Sequence, residues 1–160
     1  MKTREDLELQ LFTNRLMSTY EEIELFEEAL EILYSEEKIE NISLFLKVLD
    51  DRSENKDVMF GIIHGIEAYI SFLGFNRYLK IILDSMNLFN VNSEEWQEIL
   101  FLRMINSDEY FDDLLNIISN QNDELIKNKL QLIFSRIILR NEDKFGQKCR
   151  LLLNELGKKN

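Results

Sequence analysis

Proline is absent from this 160-residue chain, and glycine occurs only five times. Turns and sheet edges draw heavily on proline and glycine, so the shortage weighs against a strand-and-turn protein. It favours helices joined by short polar connections. Cysteine is single, Cys149, which excludes an intrachain disulfide and fits a reducing compartment. Histidine is also single, so a zinc site built from several His and Cys side chains is excluded. There is no glycine-rich phosphate loop and no EF-hand loop, hence no cofactor or metal is expected. No apolar run reaches the length of a membrane span, and the opening "MKTREDLELQLF" has no apolar signal core. The expected location is therefore the cytoplasm.

What is abundant is acid. Thirty acidic residues face nineteen basic ones, a net charge of −11. The charge is uneven: residues 1–120 hold 25 acidic and 10 basic residues, a net of −15, whereas residues 121–160 hold 5 and 9, a net of +4. Such a balance opposes binding to nucleic acid or to an anionic membrane, where phosphates demand Lys and Arg. It suits a basic protein partner, and equally it serves plain solubility. Apolar residues make up 45% of the chain, enough for the core of one all-helical domain spanning residues 1–160.

The helical signals are clear. "STYEEIELFEEALEILY" (Ser18 to Tyr34) opens with a capping box, Ser18 with Glu21 or Thr19 with Glu22, and places Ile23, Phe26, Leu30 and Leu33 at helical spacing. A weaker helix precedes it through Leu7, Leu11 and Leu16. Further helices are read in residues 40–51, 57–70 and 74–89, then after Ser93, Ser107 and Asn122, with a last one in "NEDKFGQKCRLLLNEL". About nine helices result, of ordinary length. Paired as antiparallel hairpins they recur about every 35 residues, which fits either a short HEAT-like solenoid or an irregular helical bundle.

"DVMFGIIHGIEAYI" (Asp57 to Ile70) holds His64 and two of the glycines, Gly61 and Gly65. On a helix, Val58, Met59, Ile62, Ile63, Ile66, Tyr69 and Ile70 form one broad apolar face. Opposite lie Asp57, Gly61, His64 and Ala68. Each helical glycine costs about 0.5–1 kcal/mol against alanine, and close approach of a neighbour is the usual compensation. The helix is therefore expected to be central and packed on both sides. His64 is read as a structural histidine or as part of a partner-binding surface. No Ser-His-Asp or Cys-His arrangement can be assembled around it, so no catalytic residue is assigned. Cys149 is read as a packing residue.

"EEWQEILFLRMINSDEYF" (Glu94 to Phe111) holds the only tryptophan. Trp96, Leu100 and Met104 share a face, with Arg103 close by. Arg103 is read either as one half of an Arg–carboxylate pair, with Glu67 a candidate partner, or with Trp96 as an exposed interface hot spot.

Together these stretches resemble immunity protein family thirty of bacterial polymorphic toxin systems, over roughly residues 20–115. The acidic helix "EEIELFEEALEIL" comes first. Then comes a Val-Met-Phe-Gly…His…Glu segment at Val58, Met59, Phe60, Gly61, His64 and Glu67. A Trp-x6-Arg-x2-Asn segment follows at Trp96, Arg103 and Asn106. The resemblance implies an all-helical, non-enzymatic protein that protects its own cell by binding a cognate protein toxin. The alternative is a HEAT-like adaptor in an unrelated cytoplasmic complex. Charge and expected exposure single out Glu24, Glu28, Glu31, Glu94, Glu98 and Asp112 as contact candidates, suited to a toxin with a basic active-site surface.

Overall fold

Thr3 starts the first helix in the computed structural model of the protein, which describes residues 1–158. Its Oγ1 accepts from the Asp6 amide at 3.1 Å, and the Asp6 carboxylate accepts from the Thr3 amide at 2.8 Å. Two amides that a helix start leaves orphaned are thereby satisfied. Helix α1 (Arg4–Asn14) turns Leu7 and Leu11 inward. Helix α2 (Tyr20–Glu36) is capped by Thr19, the second of the two expected caps, and stops at Glu37, whose φ of 51° is left-handed. Helix α3 (Asn41–Val48) is mostly buried, and α4 (Lys56–Glu67) is capped by Asn55. These four helices, with residues Asn87–Ser93, make one compact unit that runs from Met1 to Tyr69. Within it α1 packs on α2 and α3, and α3 packs on α4.

The loop after α3 buries a carboxylate. Asp50 is 0% exposed. Burying an unpaired charge costs several kcal/mol, so its donors decide whether the loop is tolerable. It has five. Arg15 Nε donates at 3.1 Å, the Arg52 amide at 2.9 Å, Arg52 Nε at 3.0 Å, Arg52 Nη2 at 2.9 Å and Asn90 Nδ2 at 3.2 Å. Burial pushes the Asp50 carboxyl up, but the Arg52 and Arg15 guanidinium groups outweigh it and hold the carboxyl below its usual value. Backbone bonds reinforce the junction: the Asp51 amide donates to Asn92 O at 2.6 Å and the Glu54 amide to Leu16 O at 2.9 Å. One carboxylate thus ties the end of α1, the α3–α4 loop and the 87–93 segment.

The second unit comprises Ile70–Met86 and the chain from Glu94 onward. It contains α5 (Ile70–Leu73), α6 (Phe75–Asp84), α7 (Glu94–Ile105), α8 (Phe111–Ser119) and α9 (Glu124–Gly157). Gly74, between α5 and α6, has a φ of +79°, a conformation L side chains rarely adopt. Asp123 caps α9 by accepting from the Leu125 and Ile126 amides. Asn141 breaks α9 with φ −143° and ψ 48°, so residues 124–140 and 142–157 form two helical segments, as the sequence indicates. α6 packs on α8, α7 on α8, and α9 on both α7 and α8. These contacts join adjacent helices and helices two apart, an arrangement consistent with a helical bundle.

The structure is all-helical, with no strand among the described residues. The last two residues of the expected domain lie outside the described residues. Several expected boundaries move: the helix read over 57–70 ends at Glu67 and the one over 40–51 at Val48. α8 starts at Phe111 rather than after Ser107, because Ser107 O accepts from the Tyr110 and Phe111 amides and closes a turn first. The helix expected over 74–89 ends at Asp84, and a short 3-10 turn (Met86–Leu88) follows. Cys149 is fully buried, and burial pushes its thiol up to about 11. No helix among the described residues is long and apolar enough to cross a membrane.

Asp50→Asn should destabilise the protein by about 1–3 kcal/mol, since it weakens the acceptor that these donors share at a buried position. Because the folded carboxyl titrates below its unfolded value, its contribution is complete above that unfolded value. It disappears as pH falls through the folded one. Urea denaturation across the acid range checks both points: the variant should lose stability at neutral pH and show a flatter acid limb.

Candidate partner-binding groove

Seven glutamates and no cationic side chain stand on α2. Within the first unit this helix faces α4 across a groove of about 610 Å³, lined by Glu27, Leu30, Glu31, Tyr34, Asp57, Val58 and Gly61. Helical spacing assembles the lining. Glu27, Leu30, Glu31 and Tyr34 lie within two turns of α2, and Asp57, Val58 and Gly61 within the first turns of α4. Glu27, Glu31 and Asp57 are exposed, whereas Leu30 is buried and Tyr34 and Val58 are half-buried. The groove therefore has an apolar floor and a carboxylate rim.

Tyr34 fixes its width. The ring packs on Phe45, with centroids 5.1 Å apart, and lies over Gly65 of α4. A Cβ on Gly65 would stand 2.5 Å from Tyr34 Cε1, closer than carbon atoms approach. The Tyr34 hydroxyl donates to Gly61 O at 3.4 Å. Burial, with a smaller effect from Tyr69, pushes the Tyr34 phenol up to about 12, so it remains neutral. Gly65 thus receives the close neighbour expected of a helical glycine. Gly61 does not: it is exposed, and a Cβ there would meet nothing within 4 Å.

That corrects the expected placement of α4. Met59, Ile62, Ile63 and Ile66 are buried, but Asp57, Gly61, His64 and Ala68 face solvent. The small-residue side is therefore only partly covered, by Tyr34 at Gly65. His64 is exposed and meets Phe60 edge-on at 4.9 Å between ring centres, so it sits on the surface rather than at a buried helix contact.

A family model described as Immunity protein 30 matches residues 13–114 of the chain. The chain belongs to this family. No curated protein and no solved structure matches it. In this immunity protein the matched region contains the whole groove. The last helix, α9, lies beyond the match.

The contact candidates of the immunity protein divide between its two units. Glu24, Glu28 and Glu31 are exposed on α2. Glu31 lines the groove with Gly61, while Glu28 is tied to Lys2 at 2.8 Å, which holds its carboxyl below its ordinary value. In the other unit Glu94 is exposed and pairs with Arg136 at 3.2 Å, and Asp112 is exposed on α8. Exposure fails at Glu98. It is 6% exposed because its side of α7 packs under α9, where Arg140 Nη1 reaches it at 3.3 Å. Its Oε1 has no hydrogen-bond partner among the described residues. Burial raises the Glu98 carboxyl, and Arg140 and Arg136 only partly offset that.

Trp96 is buried, 4% exposed, which removes it from an exposed hot spot and assigns it to the core of its unit. Arg103 on α7 and Glu67 on α4 are each half-buried. The groove residues missed in the sequence, Glu27 and Asp57, stand four positions before Glu31 and Gly61, so helical spacing from those two residues reaches both.

A second concavity of about 830 Å³ in the first unit is lined mainly by Leu9, Phe12, Leu88, Phe89 and Val91. Its charged neighbours Lys47 and Arg15 pair with Glu8 and Asp50. No three His, Cys, Asp or Glu side chains among the described residues are placed to hold a metal ion.

The two glycines should respond oppositely. Gly61→Ala should stabilise the fold by about 0.5–1 kcal/mol through helix propensity alone. Gly65→Ala should destabilise it by about 1–3 kcal/mol, because the Tyr34 ring must leave its seat on Phe45. Thermal and urea unfolding of both variants checks the pair of signs. Glu98→Gln should be more stable than the parent at neutral pH. The raised carboxyl favours the fold below its unfolded value, and that benefit disappears as pH rises through its folded value. A stability profile between pH 4 and 8 checks this.

Proposed function

We propose that this immunity protein neutralises a cognate toxin by direct, stoichiometric protein–protein binding in the cytoplasm, with no chemistry of its own. Membership of the immunity protein 30 family carries this reading. The surface supports it. Residues 1–120 hold a net charge of −15, and α2 presents its glutamates to solvent along most of its length. Like charges at i,i+3 and i,i+4 on one helix repel by about 0.2–0.5 kcal/mol per pair, a cost that a basic partner would relieve. Such a field also steers a basic surface into encounter and raises the association rate. A toxin whose active site is basic, as a nuclease's must be to hold phosphate, would be both attracted and covered.

The test is co-expression with the toxin domain encoded beside this chain. The expected results are a one-to-one complex on gel filtration, survival of the producing cells, and an association rate that falls steeply between low and high salt. Survival without a complex would remove the direct-binding reading, and an association rate indifferent to salt would remove the electrostatic part of it.

A further inference from the structure

An exposed glycine in the middle of a helix is an unexplained cost in the free protein. Gly61 has helical geometry, open space where a side chain would stand, and no neighbour that needs its lack of one. Glycine at such a position is useful where another molecule's atoms approach the backbone closely. Gly61 lies in the wall of the α2–α4 groove. The groove's rim carries Glu27, Glu31 and Asp57, and these pair with no cation among the described residues, in contrast to Glu28 beside them. Two independent observations therefore converge on one place: an open helix surface at Gly61 and three carboxylates without a paired cation among the described residues.

We infer that the α2–α4 groove is the specificity pocket for the toxin, and that it takes a protruding toxin loop whose arginine side chain lies across Gly61 with its guanidinium among Glu27, Glu31 and Asp57. This rests on the toxin-binding reading above. The volume, about 610 Å³, is in the range of sites that enclose a drug-sized ligand, so a loop tip fits rather than a lone ammonium. The lining matches an arginine in sequence along its length. Leu30, Val58 and the half-buried Tyr34 offer apolar surface to the methylene stem, and the carboxylates accept its fork of donors. Arginine is favoured over lysine because bidentate pairing with carboxylates uses the planar guanidinium.

The experiment measures the affinity of the toxin domain encoded beside this chain for four forms of the full-length protein. These are the wild type, Gly61→Met, the triple variant Glu27→Gln, Glu31→Gln and Asp57→Asn, and the double variant Glu109→Gln with Asp113→Asn. The last alters two exposed carboxylates on the other unit. Gly61→Met places a flexible helix-former in the groove and should leave unfolding unchanged or improved, while weakening binding at least about tenfold. The triple variant should weaken it by at least about tenfold as well, and the double variant by less than about threefold. Equal binding by wild type and Gly61→Met would overturn the groove assignment while leaving toxin binding intact. Equal losses in the triple and double variants would reduce the effect to net charge and overturn it too. Absence of binding by the wild type would instead overturn the toxin-binding reading, and the groove assignment with it.

Discussion

The Tyr34 ring rests on Gly65, and the geometry of the groove follows from that contact. Any side chain at residue 65 would push α4 away from the ring or push the ring off Phe45. With glycine there, α2 and α4 stand close enough for the Tyr34 hydroxyl to reach the Gly61 carbonyl. One turn further toward the helix start, the same helix pair separates into an open groove. The two glycines of α4 are therefore not equivalent. Gly65 is required by the fold, and Gly61 by nothing inside the molecule.

Carboxylates are likewise used in two ways. Asp50 is buried and surrounded by donors from three segments, so it organises the first unit and positions Asn55, the cap of α4, a few residues later. The glutamates of α2 are mostly solvated and several lack a cation. Surface carboxylates of that kind add little to stability and mildly oppose it through mutual repulsion. What they provide is a field, which would serve the proposed encounter with a basic partner.

Much of this was legible in the residues. The absence of proline, the amphipathic spacing of Ile23, Phe26, Leu30 and Leu33, and the Thr19 cap specify helices almost unaided. The family-bearing segments lie in the matched region. What periodicity does not show is which polar face meets water. The Gly61–His64 side of α4 reads as buried because it is small and nearly uncharged, yet Asp57, Gly61, His64 and Ala68 are exposed. Glu98 reads as exposed because it is charged, yet α9 folds over it and supplies Arg140. Both errors have one source: tertiary neighbours far along the chain decide exposure, and hydropathy is local. Asp50 was silent for the same reason, since its donors come from residues 15, 52 and 90.

The central claim is that the toxin is gripped at the α2–α4 groove, and carboxyl footprinting tests it most directly. The protein is labelled with a carbodiimide and an amine, alone and in complex with a toxin domain against which it protects cells, and modified residues are read by mass spectrometry. The account predicts that Glu27, Glu31 and Asp57 lose labelling in the complex while Glu109 and Asp113 keep it. Full labelling of the three groove carboxylates in a saturated complex would contradict it.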